Sequence, residues 1–340
     1  MRKIFGIISA VVMLAVAVSC QPRDRYVTIT GFAQGGTYAV KFNMKDVKVS
    51  PEEIRDSVDA ILVDIDNSLS GYNKNSLLSR FNAGEKVAPD SLFSDIYAKS
   101  YGIYETTDGV VDVASAPLFD LWGFGFTAGE LPTAQDVEKT LNSCGMSRLG
   151  NDIGYVLENL GNLRPKLNYN AVAQGYSCDV VARYLYSVGV KDMMVDIGEI
   201  FCDGKNPAGK PWTVGIDSPV DGNNELGAEI QGIFRAPQGP HGIVTSGNYR
   251  KFYVRDGKKY AHTIDPRTGY PVTHGLLSAT VVAPDAMTAD AYATYCMVVG
   301  LEEAKKFIEA DPELECCLIY DDEGAFRTWC SSGFVLTSMQ

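Results

Sequence analysis

The chain has 340 residues, with 30 Lys and Arg against 42 Asp and Glu, a formal net charge of −12 at pH 7. An acidic chain without a block of Lys or Arg gains nothing by releasing counterions from a phosphate backbone, which excludes nucleic acid as a partner; a small anionic ligand would need local backbone N–H groups or a metal. With 46% apolar residues the chain can bury one two-lobed core or two small ones, and neither a linker, a low-complexity stretch nor an internal repeat divides it.

Arg2 and Lys3 precede an apolar run from Ile4 to Val18 that stops at Ser19 and Cys20. The run is shorter than the ~20 residues of a spanning helix, so it reads as an export signal. Its tail, Ala17-Val18-Ser19-Cys20, has the small-residue approach to cysteine that lipoprotein signal peptidase reads, and polar Gln21 to Asp24 follow. An ordinary cleaved signal with an incidental cysteine is the alternative. Residues 1–19 are therefore expected to be removed, leaving 20–340 anchored to a membrane by lipid on Cys20 and facing the periplasm, with a still more acidic balance once Arg2 and Lys3 are gone. The other cysteines, Cys144, Cys178, Cys202, Cys296, Cys316, Cys317 and Cys330, mostly sit in apolar runs without a CxxC, which favours small buried hydrophobes over bridges or zinc.

Strands are expected at Tyr26–Thr30 and Thr37–Phe42, separated by a turn over Gly31 to Gly36. A helix follows: Ser50 can cap it, Pro51 suits its first position, Glu53 completes a capping box, and Ile54, Val58, Ile61, Leu62, Ile65 and Leu69 form one stripe. Further helices are predicted over Ser91–Thr107, Thr133–Cys144 and Ala173–Val188, the last with Tyr176, Val180, Val181, Tyr184, Leu185 and Val188 turned inward. Strands then dominate, at Met193–Ile197, Trp212–Asp217, Glu229–Phe234, Lys251–Val254, Lys259–Thr263 and Ser278–Ala283. Helices after Pro284 to about Val299 and over Glu302–Ala310, then strands at Glu313–Tyr320 and Phe334–Thr337, close the chain. Segregated helices and hairpin-spaced strands argue an α+β fold rather than a doubly wound sheet.

His262-Thr263-Ile264-Asp265-Pro266-Arg267-Thr268-Gly269 reads as a strand end entering a turn that Pro266 and Gly269 enforce. Downstream, Asp290 and Thr294 stand four apart, which on a helix puts a carboxylate and a hydroxyl on one face, where both can meet a hard cation such as Mg²⁺. A solvated helix face, or a Thr bonded back to its own turn, has the same spacing.

With Met287-Thr288-Ala289-Asp290-Ala291-Tyr292-Ala293-Thr294, the His262–Gly269 stretch and Pro271, the chain resembles the ApbE family of FAD:protein FMN transferases along essentially its whole mature length. Thr245-Ser246-Gly247-Asn248-Tyr249, Trp122-Gly123-Phe124-Gly125, Ser70-Gly71-Tyr72 with Ser76 and Asn82, Gly109-Val110-Val111-Asp112, and Ala173-Gln174-Gly175-Tyr176 with Asp179 support it in order. The resemblance implies a T-fold-like, two-lobed single domain with a mostly antiparallel sheet and packed helices. It also implies one Mg²⁺ on Asp290, Thr294 and the carbonyl of Ala171, and FAD bound around Gly35, Tyr72, Val110, Val111, Asp112, Asn168, Gln174 and Ile264. Ser246 and Gly247 are candidates for the phosphate oxygens, and Tyr72 for stacking on a ring.

The implied reaction is attack by a Ser or Thr hydroxyl of an acceptor protein, expected to be a membrane redox subunit, on the FMN phosphorus, with AMP leaving. His262 is the candidate base because its pKa falls near the working pH, and Asp265 either orients that ring or holds the turn. His241 and His274, in glycine-flanked loops, read as surface residues. Departures from the family pattern are Gly35 in place of a methionine, Gln174 in place of a charged residue, Asn168 in place of an aspartate, and Ile197-Gly198-Glu199, one glycine short. An FAD pyrophosphatase using the same metal, and a flavin- or solute-binding lipoprotein without catalysis, are the rival readings.

Overall fold

The computed structural model describes residues 24–124, 131–158, 165–219, 230–248, 252–255 and 258–337. The expected leader 1–19, Cys20, Gly125, Glu229, Tyr249 and Lys251 lie outside the described residues. One eight-stranded antiparallel sheet organises them, in the order β1 (Tyr26–Ala33), β2 (Gly36–Asn43), β3 (Met193–Asp196), β4 (Ile200–Asp203), β7 (His241–Gly247), β12 (Leu276–Ala283), β13 (Glu315–Asp322), β14 (Ala325–Cys330).

Because successive strand residues point to opposite faces, the central strands feed two cores. Val244, Ala279, Val281, Cys316 and Leu318 face the helices, whereas Ile243, Val282, Cys317 and Ile319 face a second sheet of β5 (Thr213–Asp217), β6 (Ile230–Arg235) and β15 (Leu336–Thr337). Both faces of β12 are covered, so nearly all of it is buried, Ser278 and Thr280 included. In the second sheet's core Phe234 stacks on Phe334 with ring centroids 4.1 Å apart.

On the helical face lie α1 (Pro51–Leu69), α2 (Leu77–Asn82), α3 (Ser91–Thr106), α4 (Ala116–Leu121), α5 (Ala134–Leu141), α6 (Ile153–Glu158), α7 (Ala173–Ser187), α8 (Ala286–Val299) and α9 (Leu301–Glu309). The Ser50 capping box forms as expected, with Glu53 N–H donating to Ser50 Oγ at 3.2 Å and Ser50 N–H to Glu53 Oε2 at 2.9 Å. Its stripe is buried at Ile54, Val58, Leu62, Ile65 and Leu69. Most of helix α8 is buried in the main core, with Ala289, Ala291, Ala293, Cys296 and Met297 all inside it.

Several expectations change. The turn expected over Gly31 to Gly36 shrinks to Gln34 and Gly35, both with positive φ (51° and 81°), and strand pairing continues to Ala33 and Gly36. A two-residue turn of that twist matches the strands, so the hairpin needs no longer loop. The structure adds β4, β7, β14 and the short α2, α4 and α6, and it shortens the Thr133–Cys144 helix to α5 and the Phe334–Thr337 strand to β15.

Candidate active site

The N-terminus of α8 is pinned from two sides. Asp285 caps it by accepting from Thr288 N–H at 2.8 Å, while Asp179 of α7 accepts from the Ala286 and Met287 N–H groups, each at 2.9 Å. Orphan amides of a first helical turn are satisfied in this way, and the carboxylates complement the positive end of the dipole. Only glycine lets the neighbours come this close. A Cβ on Gly175 of α7 would stand 2.2 Å from the Ala286 carbonyl oxygen and 2.9 Å from Asp290 Cβ, and one on Gly242 of β7 would stand 2.3 Å from Ala286 Cα.

Across the α7–α8 contact the Gly175 N–H donates to Asp290 Oδ2 at 3.1 Å, the one hydrogen bond of that carboxylate among the described residues. Asp290 is 5% exposed. Burial pushes its carboxyl up to about 7 against the pull of the Gly175 N–H, with the Asp179 charge adding to the rise. Asp179 is raised likewise, by burial first and then by Asp285. Asp290 alone of the two lines the cleft, with Asp179 behind it bonded to the start of α8, and a desolvated carboxyl of this kind is the electrostatic setting in which a cation would be welcome.

The His262–Gly269 stretch forms the opposite wall. His262 follows directly on β9 (Lys258–Ala261), one residue beyond the strand rather than within it, and β10 (Ile264–Asp265) pairs with β11 (Tyr270–Pro271) around the turn. Both Asp265 oxygens bind the Arg267 guanidinium, at 3.0 and 2.9 Å, and the Asp265 carbonyl accepts from Gly269 N–H at 2.8 Å. Asp265 therefore holds the turn. Gly269 has φ +79°, and a Cβ there would stand 2.8 Å from Val137 Cγ1. Trp122 Nε1 donates to the Gly269 carbonyl at 2.8 Å, and Leu118, Trp122, Val137 and Ile264 form a satellite core beneath the turn. A buried bond of 2.6 Å from Thr263 Oγ1 to Asn248 Oδ1 ties this wall to the end of β7.

Between the walls lies a cleft of about 970 Å³. Asp290, Thr294 and Ala171 line one side, His262 and Ile264 another, with Ser246 and Gly247 at the end of β7 between them. Gly35 and Tyr72 lie on its rim, and Val110, Val111, Asp112, Asn168 and Gln174 complete the wall. Every candidate site residue among the described residues thus reaches a single cleft. Several also hold the scaffold. Asp112 accepts from Ala114 N–H at 2.8 Å and from Met146 N–H at 3.1 Å, and burial raises its pKa despite those bonds. Asn168 accepts from Asn170 N–H at 2.8 Å, and Gln174 donates to the Ile197 carbonyl at 3.2 Å, fastening the β3–β4 turn. Of the remaining histidines, His274 is exposed as expected, but His241 is a strand residue of β7 whose Nδ1 is buried and unbonded, not a loop residue.

Sequence reading missed Phe32. It lines the cleft at the β1–β2 hairpin tip, 74% exposed, three residues before Gly35. Its strand parity was visible, but nothing in the sequence says that the hairpin tip overhangs a cleft formed by residues hundreds of positions away.

Among the described residues no group of three or more His, Cys, Asp and Glu comes together to hold a metal. A metal here would rest on the Asp290 carboxylate, the Thr294 hydroxyl and the Ala171 carbonyl. These are hard oxygen donors, few enough that water and phosphate oxygens complete the shell, which is the pattern Mg²⁺ prefers over thiophilic metals. The donor set fits the ion.

Residues 34–318 match the ApbE family. The chain is 32% identical to an FAD:protein FMN transferase of Haemophilus influenzae, over 98% of each chain, and 33% identical to one of Escherichia coli K12, over 92% of this chain and 91% of the other. It superposes on the flavin transferase ApbE from Vibrio cholerae with a TM-score of 0.76 at 30% identity, covering 91% of this chain and 98% of that one. The Pseudomonas stutzeri flavinyl transferase ApbE, in its apo form, gives 0.77 at 30% identity over 91% and 95%. With these likenesses spanning both the cleft and the sheet that carries it, the chain belongs to the ApbE family.

Proposed function

We propose that this chain transfers the FMN half of FAD to a Ser or Thr hydroxyl of an acceptor protein, releasing AMP. The observation that carries the reading is the convergence of the α8 pair, Asp290 and Thr294, with His262 and the Ser246-Gly247 strand end on one cleft. Asp290, Thr294 and the Ala171 carbonyl would hold Mg²⁺, which supplies positive charge to polarise the phosphorus and to offset charge on the departing AMP.

The chain's own residues do the rest. Ser246 Oγ and the Gly247 N–H hold pyrophosphate oxygens at the end of β7. The aromatic rings of Tyr72 and Phe32 cover the flavin at the mouth, Phe32 offsetting the side chain that Gly35 lacks. His262 takes the proton of the attacking hydroxyl as its oxygen bonds to phosphorus and the bond to the AMP phosphate breaks. Asp112, Asn168 and Gln174 keep the facing wall in place through their backbone bonds. We read residues 1–19 as the export leader and Cys20 as the lipidated residue that holds the enzyme at the periplasmic face of a membrane.

The deciding experiment combines the mature chain, FAD, Mg²⁺ and an acceptor bearing an exposed Ser/Thr motif. The expected result is an acceptor band that stays fluorescent on a denaturing gel. AMP release with no fluorescent band means that water replaces the protein hydroxyl, and the enzyme is then a pyrophosphatase. For the anchor, Cys20→Ser is expected to move the protein from the membrane to the soluble fraction of the cell envelope; an unchanged distribution removes Cys20 from that role.

A further inference from the structure

Away from the cleft, the last hairpin brings together two cysteines that the sequence leaves thirteen positions apart. Cys317 of β13 and Cys330 of β14 are direct register partners, and their Sγ atoms lie 3.0 Å apart. Directly opposed residues of an antiparallel pair hold their Cα atoms about 4.5–5.5 Å apart, inside the ~4.4–6.8 Å that a disulfide spans. A bridge between them needs no change in strand pairing.

Access and acidity differ usefully between the two. Cys317 is 1% exposed and turns toward the second sheet with Ile319. Cys330 lies on the outermost strand, half-buried against the same core. The hydrogen-bonding contact with Cys317 holds the Cys330 thiol below the usual cysteine range and pushes Cys317 above it. The reachable sulfur is therefore also the better source of thiolate. Cys178, Cys202, Cys296 and Cys316 are buried.

We propose that Cys317 and Cys330 are a modification site, oxidised to a cross-strand disulfide when the folded chain meets a disulfide-bearing oxidant. The Cys330 thiolate attacks one sulfur of the oxidant's S–S bond and expels the first oxidant thiol. The Cys317 sulfur then gives up its proton, attacks the Cys330 sulfur of the mixed disulfide and releases the second thiol. The chain loses two protons and two electrons, and one oxidant disulfide takes them up to become two thiols. The product clips β14, an edge strand, to β13, whose other neighbour in the sheet is β12. The inference rests on the strand pair alone and is independent of flavin transfer.

The test uses the folded mature chain equilibrated with oxidised glutathione, then unfolded in denaturant and alkylated without reductant, digested and analysed by mass spectrometry. The expected result is a linked peptide joining Cys317 to Cys330, lighter by two hydrogens than its reduced halves, with two fewer alkylated thiols than the seven of the described chain. Full alkylation of all seven, or a linkage through any other cysteine, overturns the proposal. Reductant is expected to lower the melting temperature of the oxidised wild type by about 3–6 °C. The Cys330→Ser chain is expected to show no reductant-dependent shift, and a shift of equal size there assigns the effect to another bond and overturns the proposal.

Discussion

On the floor of the cleft Asp290 is 5% exposed, with the Gly175 N–H on one oxygen and the Ala286 carbonyl too near Gly175 to admit a methyl group. At the mouth, Phe32 and Tyr72 are 74% and 69% exposed. The floor groups are held by packing that tolerates no added atom, whereas the mouth groups keep most of their surface in solvent, Tyr72 with Asn170 Nδ2 on its hydroxyl at 3.5 Å. Charge chemistry requires donors fixed before the ligand arrives, since reorganisation at the moment of reaction subtracts from stabilisation. Ring contacts need only surface to meet, so they can be left for the substrate to order.

Changes at the two ends should therefore have different signatures. The largest expected effect is that of Asp290→Asn, which keeps the shape but removes the charge. Transfer should fall by about 10²–10³-fold with the melting temperature little changed, as read by acceptor fluorescence and thermal unfolding. Retained activity would take the metal role from this residue. Next is Gly175→Ala, which forces α7 from α8 at a cost of about 1–3 kcal/mol. It should lower both the melting temperature and the rate. A drop in rate alone would show that the contact is softer than its distances state.

Smaller effects are expected at the mouth. Phe32→Ala and Tyr72→Ala should each raise the KM for FAD by about 3–10-fold, on the order of 1 kcal/mol of ring contact. Both should leave thermal stability within the small range of surface substitutions. A stability loss at Phe32 would blur the contrast between the two ends.

The most gradual effect is on pH dependence without divalent cations. Asp179 and Asp290 have folded pKa values raised above the ordinary carboxylate range. The folded chain therefore keeps protons that the unfolded chain has released. That contribution to stability is fully present below the ordinary carboxylate pKa and is lost as pH rises through about 7. Asp179→Asn should flatten this slope in denaturant titrations across mild acid to neutral pH, and an unchanged slope would remove Asp179 as its source.

Sequence pattern identified α1, α3, α7, α8 and α9 because each carries a helical stripe or cap, and it identified the floor residues because they recur as ordered motifs. Strand β7 escaped the list of expected strands. Glycines at Gly242 and Gly247 weaken any strand signal, and Gly242 is there for the close approach of α8, a tertiary fact. The short α2, α4 and α6 lack the length for a periodic signal to stand out. The Cys317–Cys330 neighbours were equally hidden, since only the register of β13 on β14 brings them together. The exposed Phe32 could not be placed at the mouth from a hairpin pattern, which gives a residue's face but not what the hairpin tip overhangs.

Strand β7 carries Gly242 beneath the start of α8 and Ser246 in the cleft, on the same parity as Val244, whose side chain enters the helical core. Four residues of strand, about 13 Å at ~3.3 Å each, make it a caliper between the helix that bears Asp290 and the wall assigned to phosphate. Residues of this strand between Gly242 and Ser246 can drift in kind. Its length cannot, because one inserted residue between Gly242 and Ser246 would turn the serine to the other face and lengthen the gauge at once.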